Sequence, residues 1–97
     1  MAYLTIARFS GEPEQFLNGY RGSSALMSEV GHDHGLIFHA ATATDEGFLV
    51  INVWESKDGS EAAARDPRRQ ASLQAAGLDP SQIRREHYEL ENFEIAT

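Results

Sequence analysis

Four residues of this chain have types and positions suited to chemistry on a small molecule: Tyr20, His39, Asn52 and Trp54. Asn52 stands alone as a polar side chain inside the run Phe-Leu-Val-Ile-Asn-Val-Trp-Glu-Ser, residues 48–56. A polar group within an apolar strand needs a partner, and an amide is able to hold a ligand carbonyl. Trp54 lies two residues on, so both side chains leave the strand on the same side. Its flat ring could stack on a substrate; its plainer role is to fill the interior. Histidine changes charge near neutral pH, which suits His39 to the work of a general base or proton shuttle. The plainer role for His39 is a bond to a backbone carbonyl. Tyr20, on a helix, could reach a cavity rim, with core packing as the first expectation.

Whether His39 shares a face with Asn52 depends on the hairpin between them. A two- or four-residue loop pairs them. A three-residue loop with a bulge at Gly47 sets His39 beside Ile51 and Val53 instead. The first is preferred, because two polar groups then satisfy each other or share a pocket. Other sets are weaker. His32 and His34 have the spacing of a metal pair, but no third ligand accompanies them and no metal is expected. His87 has the same standing. Arg65, Arg68 and Arg69 could receive an acidic substrate group, but they read more simply as solvated or paired with some of the 15 acidic residues. The glycines form no phosphate-binding spacing, and no serine lies in a nucleophile elbow.

The elements that must position these residues follow from the pattern. Tyr3–Phe9 alternates as a strand. Pro13 and Glu14 suit the first turn of a helix, and Phe16, Leu17, Tyr20, Met27 and Val30 recur at helical spacing. That predicts a helix from about Pro13 to Val30 with Gly31 as its C-terminal cap, then a loop over His32-Asp33-His34-Gly35. Leu36–Thr42 is a second strand, Thr44-Asp45-Glu46-Gly47 a turn, and the run from Phe48 a third strand. Ser56 caps an alanine-rich helix from about Asp58 to Ala76, with Asp66-Pro67 as a fresh cap that kinks or divides it. Ile83–Phe93 is a long fourth strand whose end, near Asn92 and Phe93, could cross to a partner.

The order β-α-β-β-α-β is the ferredoxin-like motif, an α+β fold with an antiparallel four-stranded sheet and both helices on one face. Trp54 and other bulky residues are expected on the uncovered face, which a second copy would bury. Ninety-seven residues make a single domain, residues 1–97. A formal net charge of −7 argues against nucleic-acid and anionic-membrane partners. The chain has no cysteine, which excludes disulfides, thiolate metal sites and a cysteine nucleophile. With no apolar run long enough to span a bilayer and no basic, apolar leader, a cytoplasmic location is the default.

The strand order, Gly-Leu-Ile-Phe-His-Ala-Ala at 35–41, Val-Ile-Asn-Val-Trp-Glu-Ser at 50–56 and Tyr-Glu-Leu-Glu-Asn-Phe at 88–93 resemble the dimeric α/β-barrel superfamily. The likeness is to its antibiotic biosynthesis monooxygenase-like members, and above all to small actinobacterial-type proteins. It covers nearly the whole chain, and its motifs are more specific for fold than for chemistry. It implies a homodimer without a cofactor, possessing the activity of a monooxygenase on an aromatic or polyketide-like molecule. Asn52 would then orient the substrate, Trp54 and Tyr20 would contact it, and His39 would move the proton. The haem-degrading relatives use an asparagine on strand one and a tryptophan and histidine on helix two, which this chain lacks. The alternatives implied are a non-enzymatic module holding a small apolar ligand, and a polyketide cyclase-like enzyme.

Overall fold

The structure, a computed structural model, describes residues 1–75 and 77–96. Its elements are β1 (Tyr3–Ser10), α1 (Pro13–Asp33), β2 (Leu36–Thr44), β3 (Gly47–Trp54), α2 (Lys57–Arg65), α3 (Pro67–Ala75), a 3-10 turn at Pro80–Gln82 and β4 (Ile83–Glu89). The strands form one antiparallel sheet in the order β2-β3-β1-β4. This is the ferredoxin-like arrangement expected from the sequence, with the second helix divided. The predicted end of that helix, Ala76, lies outside the described residues.

The division follows from local chemistry. Ser56 accepts a hydrogen bond from the Gly59 amide at 3.1 Å and starts α2. Pro67 cannot donate within a helix, so α2 stops and Asp66 caps α3 through the Arg68 amide at 2.9 Å. Between β2 and β3 the turn is two residues, Asp45-Glu46, and β2 runs to Thr44, two residues past its expected end. Gly47 takes φ 156°, and any Cβ there would collide with the Phe9 carbonyl.

Three other boundaries differ from the sequence reading. α1 continues through His32 and Asp33, so those residues belong to its last turn and not to a loop. Gly31 is a buried helical residue pressed against Leu36, and the left-handed glycine after the helix is Gly35, at φ 82°. The helix reaches further because the Leu36 side chain closes over Gly31 and leaves the turn to Gly35. β4 ends at Glu89, not Phe93. The Leu90 amide extends the β1–β4 register by one bond to the Ala2 carbonyl, at 2.9 Å, and the chain then turns towards β2, where the Phe93 ring lies 6.2 Å from that of Phe38.

The sheet register assigns every side chain to a face. Tyr3, Thr5, Ala7 and Phe9 on β1 align with Trp54, Asn52, Val50 and Phe48 on β3. This is the face the helices cover, since Phe9 packs on Phe16 and Phe48 on Tyr20. Trp54 therefore lies in the interior, 6% exposed, with Tyr3, Val30 and Ala63. The expectation that Trp54 lines the uncovered face is thus reversed. The face away from the helices carries the aliphatic set instead: Leu4, Ile6, Leu49 and Ile51, half-buried, and Val53, buried, with Phe38 beside them.

Candidate functional site

A cavity of about 210 Å³ lies between the helices and the covered face of the sheet. Its walls are mainly apolar, with Phe9, Phe16, Met27, Phe48 and Trp54 among them. For scale, an apolar cavity of roughly 150 Å³ is enough to hold a benzene ring. Trp54 is fixed as a wall: its indole N–H donates to the Thr5 hydroxyl at 3.1 Å, across the β1–β3 pair.

His39 pairs directly with Asn52 in the β2–β3 ladder, as the two-residue turn requires. The His39 Nδ1 and Asn52 Oδ1 atoms are 2.5 Å apart, and His39 Nε2 is 2.7 Å from the Tyr20 hydroxyl. The direction of these bonds follows from the atoms. An amide oxygen only accepts, so Nδ1 carries the proton and donates. In the neutral imidazole Nε2 is then an acceptor, and the Tyr20 O–H donates to it. The Tyr20 and His39 rings also stack, with centroids 5.8 Å apart. Three elements thus contribute one residue each to a hydrogen-bonded row: α1, β2 and β3.

All four residues singled out from sequence line the cavity. Tyr20 departs from its first expectation: it is half-buried and takes part in the row at the rim as well as packing on Phe48. Its position on the helix, one turn beyond Phe16, holds its hydroxyl over β2. His39 is exposed and sits on the edge strand, so the row runs from solvent to the apolar wall.

His34, at the C-terminal end of α1, forms something different. His34 Nε2 donates to Asp66 at 2.9 Å, and Arg68 binds both Asp66, at 2.8 Å, and Asp33, at 2.9 Å. These bonds hold the Asp66 carboxyl well below the usual carboxylate range, with Arg68 the largest cause and His34 the next. Arg68 is raised in turn by the same two aspartates. The network joins the end of α1 to the α2–α3 junction. No group of three metal-ligating side chains is present among the described residues.

Two arginines behave otherwise. Arg69 on α3 and Arg85 on β4 both line the cavity. Burial, and then the like charge of Arg85, push the Arg69 guanidinium down to about 10. Burial of the part that lines the cavity also lowers Arg85, which is otherwise exposed at the sheet edge. Arg69 was visible in the sequence only as one member of a cluster. Arg85 escaped notice there, yet strand alternation from Ile83 would have placed it with His87 on the covered face.

No family model matches the chain, and no curated protein matches it in sequence. Solved structures do. A dimeric ferredoxin-like protein of unknown function from Thermobifida fusca is 20% identical, with a TM-score of 0.72, over 93% of this chain and 92% of that one. A variant of SnoaB, a cofactor-independent oxygenase from Streptomyces nogalater, is 18% identical, with a TM-score of 0.67, over 95% of each chain. A candidate antibiotic biosynthesis monooxygenase from Deinococcus radiodurans is 14% identical, with a TM-score of 0.71, over 100% of both chains. The resemblance drawn from the sequence motifs is therefore matched in three dimensions at the level of the fold: the chain has the ferredoxin-like fold of these structures.

Proposed function

We propose that the protein is a cytoplasmic homodimer acting as a cofactor-independent monooxygenase on a small aromatic or polyketide-like molecule. The observation that carries this reading is the row Tyr20–His39–Asn52 opening onto an apolar cavity. Asn52 fixes the imidazole in the tautomer that leaves Nε2 free to accept. His39 takes a proton from the substrate, directly or through the Tyr20 hydroxyl. The substrate is one whose conjugate base is electron-rich, such as a phenol with an adjacent activated CH2. Its carbanion gives one electron to O2, and the resulting pair combines into a C–O bond. Loss of the second C–H proton then breaks the O–O bond. The CH2 becomes a carbonyl, one oxygen atom leaves as water, and the substrate itself supplies the electrons. Trp54 and the phenylalanines hold the rings and keep water out. The fold shared with a protein described as a cofactor-independent oxygenase supports the same reading.

The homodimer rests on the uncovered sheet face. Phe38 is 43% and Tyr88 49% exposed there, beside the aliphatic residues of β1 and β3. A patch of that kind is characteristic of an association surface.

Oxygen uptake tests the activity. Purified protein is supplied with anthrone and with one- and two-ring phenols, and O2 and product are measured together. One O2 consumed for each quinone formed supports the monooxygenase. Ring closure without O2 uptake would replace it with a cyclase. The His39–Asn52 bond also favours a second reading, a binding module, since each group satisfies the other without a ligand. Tight ligand binding with no turnover of any kind would select that module.

A further inference from the structure

The chain carries 15 acidic residues and a formal net charge of −7. Its cavity has the opposite character. Among the described residues no aspartate or glutamate lines it, whereas Arg69 and Arg85 do. Arg69 and Arg85 stand in none of the ion pairs formed by the described residues. Their neighbour Arg68, one residue away, is doubly paired. A guanidinium left without an anion in a partly desolvated site is costly, and proteins usually place a carboxylate beside it. Here two of them, one from α3 and one from β4, line the same cavity, close enough for the charge of one to depress the other.

The sheet order locates them. Arg85 faces Ala7, and His87 faces Thr5, on β4 at one edge of the sheet. The Tyr20–His39–Asn52 row stands over β2 and β3 at the other side. Three strand spacings separate the edge strands, about 14 Å. The apolar wall of Phe9, Phe48 and Trp54 lies between. The cavity thus has a proton-handling side, an aromatic middle and a cationic side.

We infer that Arg69 and Arg85 form an anion subsite and that the ligand of this cavity is a small aromatic carboxylate. The forked, planar guanidinium matches a carboxylate with two parallel hydrogen bonds, and the ring system lies against the aromatic wall. A volume of about 210 Å³ suits one or two rings. This inference rests on the reading of the cavity as a ligand site and adds the substrate class to it. The carboxylate anchors the molecule at β4, so that its far ring meets Tyr20 and His39.

Calorimetric titration of the intact protein with 1-naphthoate and with its neutral methyl ester tests the subsite. The acid should bind about 10-fold or more tightly than the ester, as expected for charge-assisted bonds to a desolvated cation. Arg69→Gln and Arg85→Gln should each bring the two affinities towards equality, leaving ester binding nearly unchanged. Arg85 is exposed on an edge strand, so its glutamine variant keeps the fold even where loss of Arg69 disturbs α3. Equal binding of acid and ester, or an unchanged preference in Arg85→Gln, would overturn the anion subsite while leaving an apolar ligand cavity standing. Failure of both compounds to bind would overturn the subsite and the cavity reading together.

Discussion

At the scale of single residues, the account turns on which atoms donate and which accept. Asn52 sets the tautomer of His39, and His39 sets the direction of the Tyr20 hydroxyl. Removing the hydroxyl alone, in Tyr20→Phe, keeps the stacked ring and its packing on Phe48. If Tyr20 relays the proton, turnover should fall by about 10- to 100-fold with little change in melting temperature. An unchanged rate would assign Tyr20 to packing. Asn52→Leu should be worse for the chemistry than Tyr20→Phe, since Nδ1–H loses its acceptor and the ring its fixed tautomer. Much of this set could be read from sequence because each member breaks a local pattern. Asn52 interrupts an apolar strand, and His39 stands opposite it once the turn is two residues long. Arg85 was hidden because β4 is polar along its length. On such a strand a functional charge looks like a solvated one until the covering helix is known.

At the scale of elements, junctions decide where the side chains point. The Asp66 carboxylate ties α1 to the α2–α3 break through His34 and Arg68. Its folded pKa lies below its unfolded value, so the folded chain releases that proton more readily than the unfolded chain. The carboxylate therefore adds stability that is complete above about pH 4 and lost as the pH falls further. Denaturant midpoints measured from pH 7 down to pH 2 should decline steeply at the acid end. Asp66→Asn should start lower and decline less; parallel curves for the two proteins would contradict this role. Gly47 is the second junction. Gly47→Ala drives a Cβ into the Phe9 carbonyl and should cost about 2 kcal/mol or more, read as a drop in urea midpoint. Val30→Ala, at a side chain 1% exposed, should cost about 2 kcal/mol. The order and number of strands were legible because alternation and turn residues are local signals. The end of α1 was not, because a glycine inside a helix and a glycine after one look alike until Leu36 packs on the first.

At the scale of the whole molecule, the sheet presents two unlike faces. The covered face holds the cavity, and the uncovered face is aliphatic over β1 and β3, with Phe38 and Tyr88 beside it and the Arg8–Glu86 ion pair towards β4. Sequence periodicity separated the two sets of residues correctly but set Trp54 and its bulky neighbours on the uncovered side. Alternation says which side chains travel together but carries no sign. The sign comes from the helices, whose aromatic and small residues fit against Phe9, Phe48 and Trp54. The uncovered face predicts self-association. Sedimentation of the wild type should give a dimer, and Ile51→Glu, on the uncovered face, should shift it to monomer with its secondary structure intact. A wild type that sediments as a monomer at micromolar concentration would remove the homodimer from the account. No helix among the described residues is long and apolar enough to cross a membrane.

The central claim is that the row at the cavity rim moves a proton during turnover with O2. Its most direct test is the initial rate of O2 uptake in wild type and His39→Ala, at matched folded fraction and saturating substrate. Loss of about 10²-fold or more in kcat, with the melting curve preserved, is the predicted result. An unchanged kcat in a folded His39→Ala protein would contradict the account, leaving the Tyr20–His39–Asn52 row as a structural clasp between α1, β2 and β3.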